Sequence, residues 1–225
     1  MASPSPRLTA VVCAAVAAVL SALVATGWDP LLAFDARVAS ELHRTAHAEP
    51  GWTRLNRLLT DWVWDPWTMR ALLTAVFLWL LLRGESRTAF WVAVTAIAGT
   101  FLQQGLKALF DRDRPRWDRP VDSAEFAALP SGHAMTAALT CGLLLWLVHL
   151  YTVRRAVRRA VLWAGAVTVA GVGFTRVYLG VHWPTDVITG WLLGIAVAAA
   201  AAALWHRHGT TPSVRRGGGP EGSSP

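Results

Sequence analysis

The feature that most constrains this sequence is its set of long apolar runs. They extend approximately from Leu8 to Thr26, Trp67 to Leu82, Thr88 to Phe110, His133 to Tyr151, Val161 to Val177 and Trp183 to Trp205. Each comes close to the roughly 20 residues a helix needs to cross a bilayer. The predicted fold is therefore all-α, an integral membrane bundle of about six transmembrane helices. Composition agrees: only 16% of the 225 residues are charged and 54% are hydrophobic, whereas soluble proteins carry about 25% charged residues. The runs exclude disorder and collagen. Cys13 and Cys141 each sit inside an apolar run, so neither reads as a zinc ligand, a redox partner or part of a disulfide framework.

The charge pattern orients the bundle. With the amino terminus in the cytoplasm, the inside segments hold Arg7, then Arg83 and Arg87, then Arg154, Arg155, Arg158 and Arg159, then Arg207, Arg215 and Arg216, with Glu85 and Glu221 as their acids. The opposite loops mix Arg with many Asp and Glu. This matches the positive-inside rule for an even number of spans, with both termini cytoplasmic. The net charge of +7 does not imply nucleic acid, because its Arg clusters flank apolar runs and form no basic stripe. The first run follows Arg7 as in a signal peptide, yet it is long and lacks a clear cleavage site, so it reads as a retained span. Tryptophans near span ends, such as Trp67, Trp183 and Trp205, suit an interfacial belt.

Between the first two spans, Leu42, Leu55, Leu58, Leu59 and Trp62 recur at helical spacing, which predicts interfacial amphipathic helices within residues 28–66. A solvated loop packed on the bundle is the other reading. Three parts follow: residues 1–7 as a short cytoplasmic segment, 8–205 as the membrane domain, and 206–225 as a disordered cytoplasmic tail rich in Gly, Pro, Ser and Arg.

Three short segments on the predicted outer face concentrate polar chemistry. The first runs from Lys107, the single lysine among 21 basic residues, to Arg114 and Pro115. Seven positions are about two helical turns, so both cations can point to one side before Pro115 ends the helix. A lysine snorkelling to head groups is the plainer alternative. Asp111 and Asp113 could form a metal-binding pair, but their Arg neighbours favour salt bridges. The second segment is Pro130-Ser131-Gly132-His133. Ser131 suits an N-cap, Gly132 permits close approach, and the free N–H groups of a helix start attract anions; a plain helix cap with a solvated histidine would look the same. The third runs from Thr175-Arg176 to His182 and Asp186. A helix beginning near Pro184 brings the carboxylate to the imidazole four residues back, either as a structural hydrogen bond or as an orienting pair.

Taken jointly, the segments supply Lys, two Arg, two His, a Ser and an Asp on one membrane face. Cations and amides can hold phosphoryl oxygens while one imidazole attacks and another protonates the leaving oxygen. No metal or other cofactor is required. The ordered set Lys-x6-Arg-Pro, Pro-Ser-Gly-His and Arg-x5-His-x3-Asp resembles the three-part signature of the type 2 phosphatidic acid phosphatases (PAP2, lipid phosphate phosphatases), over roughly Trp67 to Trp205. One departure is Thr175, where the family usually has Ser.

The resemblance implies that Lys107, Arg114 and Arg176 hold the phosphoryl oxygens with Ser131 and the Gly132 amide. It implies His182 as the nucleophile that becomes a phosphohistidine, Asp186 as its orienter, and His133 as the acid that later activates water. The expected substrate is a lipid phosphate or diphosphate, with membrane lipids as surroundings and no nucleic acid partner. Alternatives within the class are an undecaprenyl-diphosphate phosphatase and a membrane phosphotransferase. Soluble vanadium haloperoxidases share the constellation, but six spans argue against that activity. A transporter would also tolerate polar groups facing a cavity, yet it has no evident need for two histidines and an Asp among phosphate-type cations. The oligomeric state is not readable from the sequence.

Overall fold

The structure is a computed structural model that describes residues 5–208. Its helices are α1 (Pro6–Ala25), α2 (Asp29–Ala48), α3 (Pro50–Leu58), a π-helical turn (Leu59–Val63), α4 (Pro66–Leu82), α5 (Ser86–Phe110), α6 (Gly132–Tyr151), α7 (Arg155–Tyr178) and α8 (Pro184–His208). Among the described residues there is no strand. α1, the stretch from α3 through α4, and α5 to α8 are long and apolar enough to cross a membrane. The tail expected from His206 begins inside α8, and the rest of it lies outside the described residues.

Local chemistry explains the boundaries. A proline stands in the first turn of each of α1 to α4, where its missing N–H costs nothing and its fixed φ suits a helix. Asp65 caps α4 by accepting the Trp67 N–H at 2.7 Å. α7 starts six residues before the expected Val161 and takes in Arg155, Arg158 and Arg159. Their long side chains can carry charge to the interface while the backbone stays helical.

Large apolar side chains point outward, including Leu82, Phe101 and Trp163, as a lipid solvent allows. The segment before α4 follows the same logic. Leu55, Leu58 and Trp62 are exposed, whereas Asp35, His43, Thr53, Asn56 and Thr60 are buried. These helices therefore turn their apolar face outward and their polar face toward the bundle. Trp205 departs from the expected belt: it is buried, packs near Trp91 and Trp146, and lies under the Arg87 guanidinium.

The element that positions the site is the tight pairing of α6 with α8, which also packs along α1. A Cβ on Gly190 would stand 2.7 Å from the Ser131 carbonyl, and one on Gly194 would stand 2.5 Å from the Met135 carbonyl. Small residues let helices approach closely where no hydrophobic drive distinguishes helix from lipid. The starts of α6 and α8 are thereby joined, and the Ser131 N–H donates to the Asp186 carbonyl at 2.9 Å. Gly194→Val should force the helices apart and destabilise the bundle by about 1–3 kcal/mol, the usual cost of overpacking. Thermal unfolding in detergent checks this; an unchanged midpoint would show that the contact is slack.

Candidate active site

Four helix ends meet at one end of the bundle: the last turns of α5 and α7 and the first turns of α6 and α8. They surround a cavity of about 500 Å³ whose wall includes Lys107, Arg114, Gly132, His133, Arg176 and His182. The three segments singled out in the sequence thus converge. Ser131 and Asp186 stand behind that wall, each fully buried.

His182 lies in the turn between α7 and α8. Gly180 makes this turn possible with φ +70°, where a Cβ would also collide with Trp117 and His43. The Trp117 indole N–H fastens the turn by donating to the Gly180 carbonyl at 2.8 Å. As the spacing predicts, α8 begins at Pro184 and brings Asp186 Oδ2 to 3.3 Å from His182 Nδ1. Arg114 Nη1 stands 3.0 Å from His182 Nε2. A guanidinium can only donate, so Nε2 accepts, and Nδ1–H donates to Asp186. The dyad therefore holds one tautomer, with the Nε2 lone pair toward the cavity. Burial first, then Arg114, Arg176 and Lys107, push the His182 imidazole well below the usual histidine range.

The cations are held mainly by backbone carbonyls. Lys107 Nζ donates to the Ala127 carbonyl. Arg114 does not reach the cavity along a helix as its spacing from Lys107 predicts. α5 stops at Phe110, because Asp111 takes a left-handed conformation at φ 38°. Arg114 instead comes from the following loop and ties it together, donating to the carbonyls of Phe126 (2.8 Å), Glu125 (2.7 Å) and Val181 (2.6 Å). Burial and the neighbouring Arg176 lower its pKa to about 10, so it remains a cation at neutral pH. Arg176 is buried beside Thr60, which accepts from its Nη1 at 3.2 Å, and its Nε has no partner. Asp122 stands 4.0 Å from the same guanidinium.

His133 faces the cavity with Nε2 3.8 Å from Asp65. A Cβ on Gly132 would lie 2.8 Å from the amide nitrogen of Gln103, a flexible side chain that would have to move aside. Ser131 occupies the N-cap position, yet its hydroxyl makes no capping bond and is buried without a partner. The Thr175 hydroxyl donates to the Val172 carbonyl at 2.8 Å and so serves its own helix. Asp113 pairs with Arg116 at 2.9 Å, and Asp111 ends α5, so these two aspartates form no joint site.

The residues that sequence reasoning missed hold Asp186. Arg112 bridges two buried carboxylates, Asp186 at 2.5 Å and Asp35 of α2 at 2.8 Å. Asp35 also accepts the Thr185 N–H at 3.0 Å. A helix outside the three motifs thereby braces the start of α8. Asp35 carried no signal of its own, being one acid on a helix of mixed charge.

Fold and site together define a multi-pass membrane protein with a cation-lined cavity beside a buried histidine–aspartate dyad. Residues 88–209 match the profile of the PAP2 superfamily, and the chain belongs to that family. It is 36% identical over 96 residues to phosphatidylglycerophosphatase B of Bacillus subtilis (strain 168), a match covering 42% of this chain and 46% of that protein. It is 38% identical over 72 residues to an undecaprenyl-diphosphatase of Sulfolobus acidocaldarius, covering 29% of this chain and 27% of that one. The matches thus span less than half the length of either relative. The fold is similar to the crystal structure of a transmembrane PAP2-type phosphatidylglycerolphosphate phosphatase from Bacillus subtilis, with a TM-score of 0.73 and 20% identity over 89% of this chain and 98% of that one.

Two predictions follow from the geometry. Arg112→Gln should lower turnover by roughly 10- to 100-fold, the usual effect of disturbing a group that orients a site residue. Asp35→Asn should do the same more mildly. Steady-state kinetics of both variants check this, and wild-type turnover in Arg112→Gln would reduce the bridge to a packing contact. The second concerns pH. The folded state keeps His182 neutral, while the unfolded chain protonates near pH 6.5. The resulting stabilisation is complete above that pH and is lost as pH falls. The unfolding midpoint of His182→Gln should therefore drop less between pH 7.5 and pH 5 than that of the wild type, and equal drops would contradict the shift.

Proposed function

We propose that this protein is a lipid phosphate phosphatase that hydrolyses phosphomonoester or diphosphate head groups through a phosphohistidine, without a metal. The observation that carries this reading is the convergence of a dyad-held imidazole and three cations on one cavity. A phosphoryl group entering the cavity competes for Lys107, Arg114 and Arg176, and in doing so draws Arg114 Nη1 off His182 Nε2. The freed lone pair attacks phosphorus, and the imidazolium that forms is stabilised by Asp186. His133 donates a proton to the departing oxygen, then takes one from the water that attacks the phosphohistidine. The Gly132 amide at the start of α6 faces the same anion. Ser131 joins the set through its unpartnered hydroxyl if the side chain rotates toward the cavity.

The Arg-rich ends of the spans support a topology with both termini cytoplasmic and the site on the outer face. On this reading residues 8–205 form one membrane phosphatase domain between short cytoplasmic segments. The Sulfolobus relative's name favours a diphosphate head group, and the Bacillus relative's name a glycerophosphate monoester. A phosphotransferase would use the same phosphohistidine with an alcohol in place of water.

The test is rapid-quench labelling with a phosphate-labelled lipid. Acid-labile, base-stable label should appear on the wild type and be absent from His182→Ala; label persisting in that variant would move the nucleophile elsewhere. His133→Ala should still form the label with an activated aryl phosphate, whose leaving group needs little protonation. Activity should also survive EDTA and be inhibited by vanadate, since fixed cations supply the positive charge. Activity lost to the chelator and restored by zinc or magnesium would overturn the metal-free scheme.

A further inference from the structure

The cavity has a fourth cation that the dyad and the three phosphoryl-binding residues do not use. Arg70, on the second turn of α4, lines it with Lys107, Arg114 and Arg176. The same side chain lines a separate hollow of about 340 Å³ between α4 and α5. That hollow is walled by Leu73, Phe77, Ala96, Ile97 and Phe101. Two threonines in its wall do not make it polar, because Thr74 and Thr100 donate their hydroxyls to the carbonyls of Arg70 and Ala96. Arg70 is half-buried, its guanidinium carbon 5.0 Å from the Trp67 ring centroid, and among the described residues no carboxylate forms an ion pair with it.

A cation within a membrane helix is costly and usually serves an anion or a water-filled cavity. Here it stands where a polar cavity meets an apolar groove. A lipid whose single phosphate is transferred to His182 would present only neutral oxygen at that junction. A lipid with a second phosphate, between the reacting phosphoryl and the hydrocarbon, would present an anion there. We propose that Arg70 determines head-group selectivity by binding such a second phosphate, and that the α4–α5 groove receives the hydrocarbon attached to it. This inference rests on the phosphatase reading above.

Two sources share that chemistry. In a polyprenyl diphosphate the second phosphate is the leaving group: the His182 Nε2–P bond forms, the bond from the terminal phosphorus to the bridging oxygen breaks, and negative charge grows on the phosphate at Arg70. In a glycerolipid carrying a terminal phosphomonoester and an internal phosphodiester, the leaving oxygen is an alcohol protonated by His133. The charge at Arg70 is then constant through the step. Removing Arg70 should therefore lower kcat for the diphosphate but raise KM for the phosphodiester lipid, because only a contact that strengthens in the transition state affects turnover.

The experiment compares the full-length wild type, Arg70→Gln and Arg70→Lys in mixed micelles with three substrates: a polyprenyl diphosphate, phosphatidylglycerophosphate and phosphatidic acid. For Arg70→Gln, the ratio of kcat/KM for the better doubly phosphorylated lipid over phosphatidic acid should fall about 10- to 100-fold, as expected for a lost charge-assisted hydrogen bond. Arg70→Lys should restore most of that ratio. An unchanged ratio, whether all rates fall together or none do, would reduce Arg70 to a structural or snorkelling residue and overturn the proposal. Ala96→Trp should impair long-chain substrates more than dihexanoyl analogues with the same head group, and equal impairment would remove the groove from the proposal. A wild type inactive on all three lipids would instead overturn the phosphatase reading, and this inference with it.

Discussion

Asp186 is the group on which the rest of the site depends. Its carboxylate accepts from His182 Nδ1, from the Trp183 N–H at 2.9 Å and from Arg112, while its carbonyl accepts the Ser131 N–H. One buried residue therefore joins the α7–α8 turn, the loop after α5 and the start of α6. Arg112 extends the connection to Asp35 and hence to α2. A buried charge left unpaired costs several kcal/mol, so these segments are constrained to arrive together. The dyad's tautomer is a consequence of that arrangement.

The lipid surroundings explain why the polar groups gather at one end. Apolar side chains face outward along the bundle, and the residues before α4 obey the same rule by burying Asp35, His43, Thr53, Asn56 and Thr60. Those residues do not form a separate amphipathic decoration: Thr60 accepts from Arg176 and Thr53 lies 3.2 Å from the Tyr178 hydroxyl. The stretch between the first two spans is thus part of the wall that holds Arg176 of α7 in place.

The cavity carries charge of both signs. Arg70, Lys107, Arg114 and Arg176 share its lining with Asp61, Asp65, Asp122 and Glu125. The acids partly screen the cations from one another when no anion is bound, as Asp122 does for Arg176. On the proposed function, a phosphate group would have to displace that screening, which favours a ligand of higher negative charge over a weak one.

What the sequence determined by itself is whatever depends on short-range spacing or on solvent. The membrane spans were legible because a bilayer of fixed thickness imposes run length. The His182–Asp186 contact was legible because four residues at a helix start meet on one face. The convergence of the three motifs was legible because alternating spans return every second loop to the same side. Tertiary structure decided the remainder. Arg114 arrives from a loop since Asp111 ends α5 early, and Ser131 is buried outside the cavity lining. Arg112 is one arginine among four between residues 112 and 119, and it finds a partner 77 positions away in Asp35. Such pairs have no local signature: which arginine is buried, and against which carboxylate, depends on how α2 packs beside α7 and α8, and that packing is set by contacts distant in the chain.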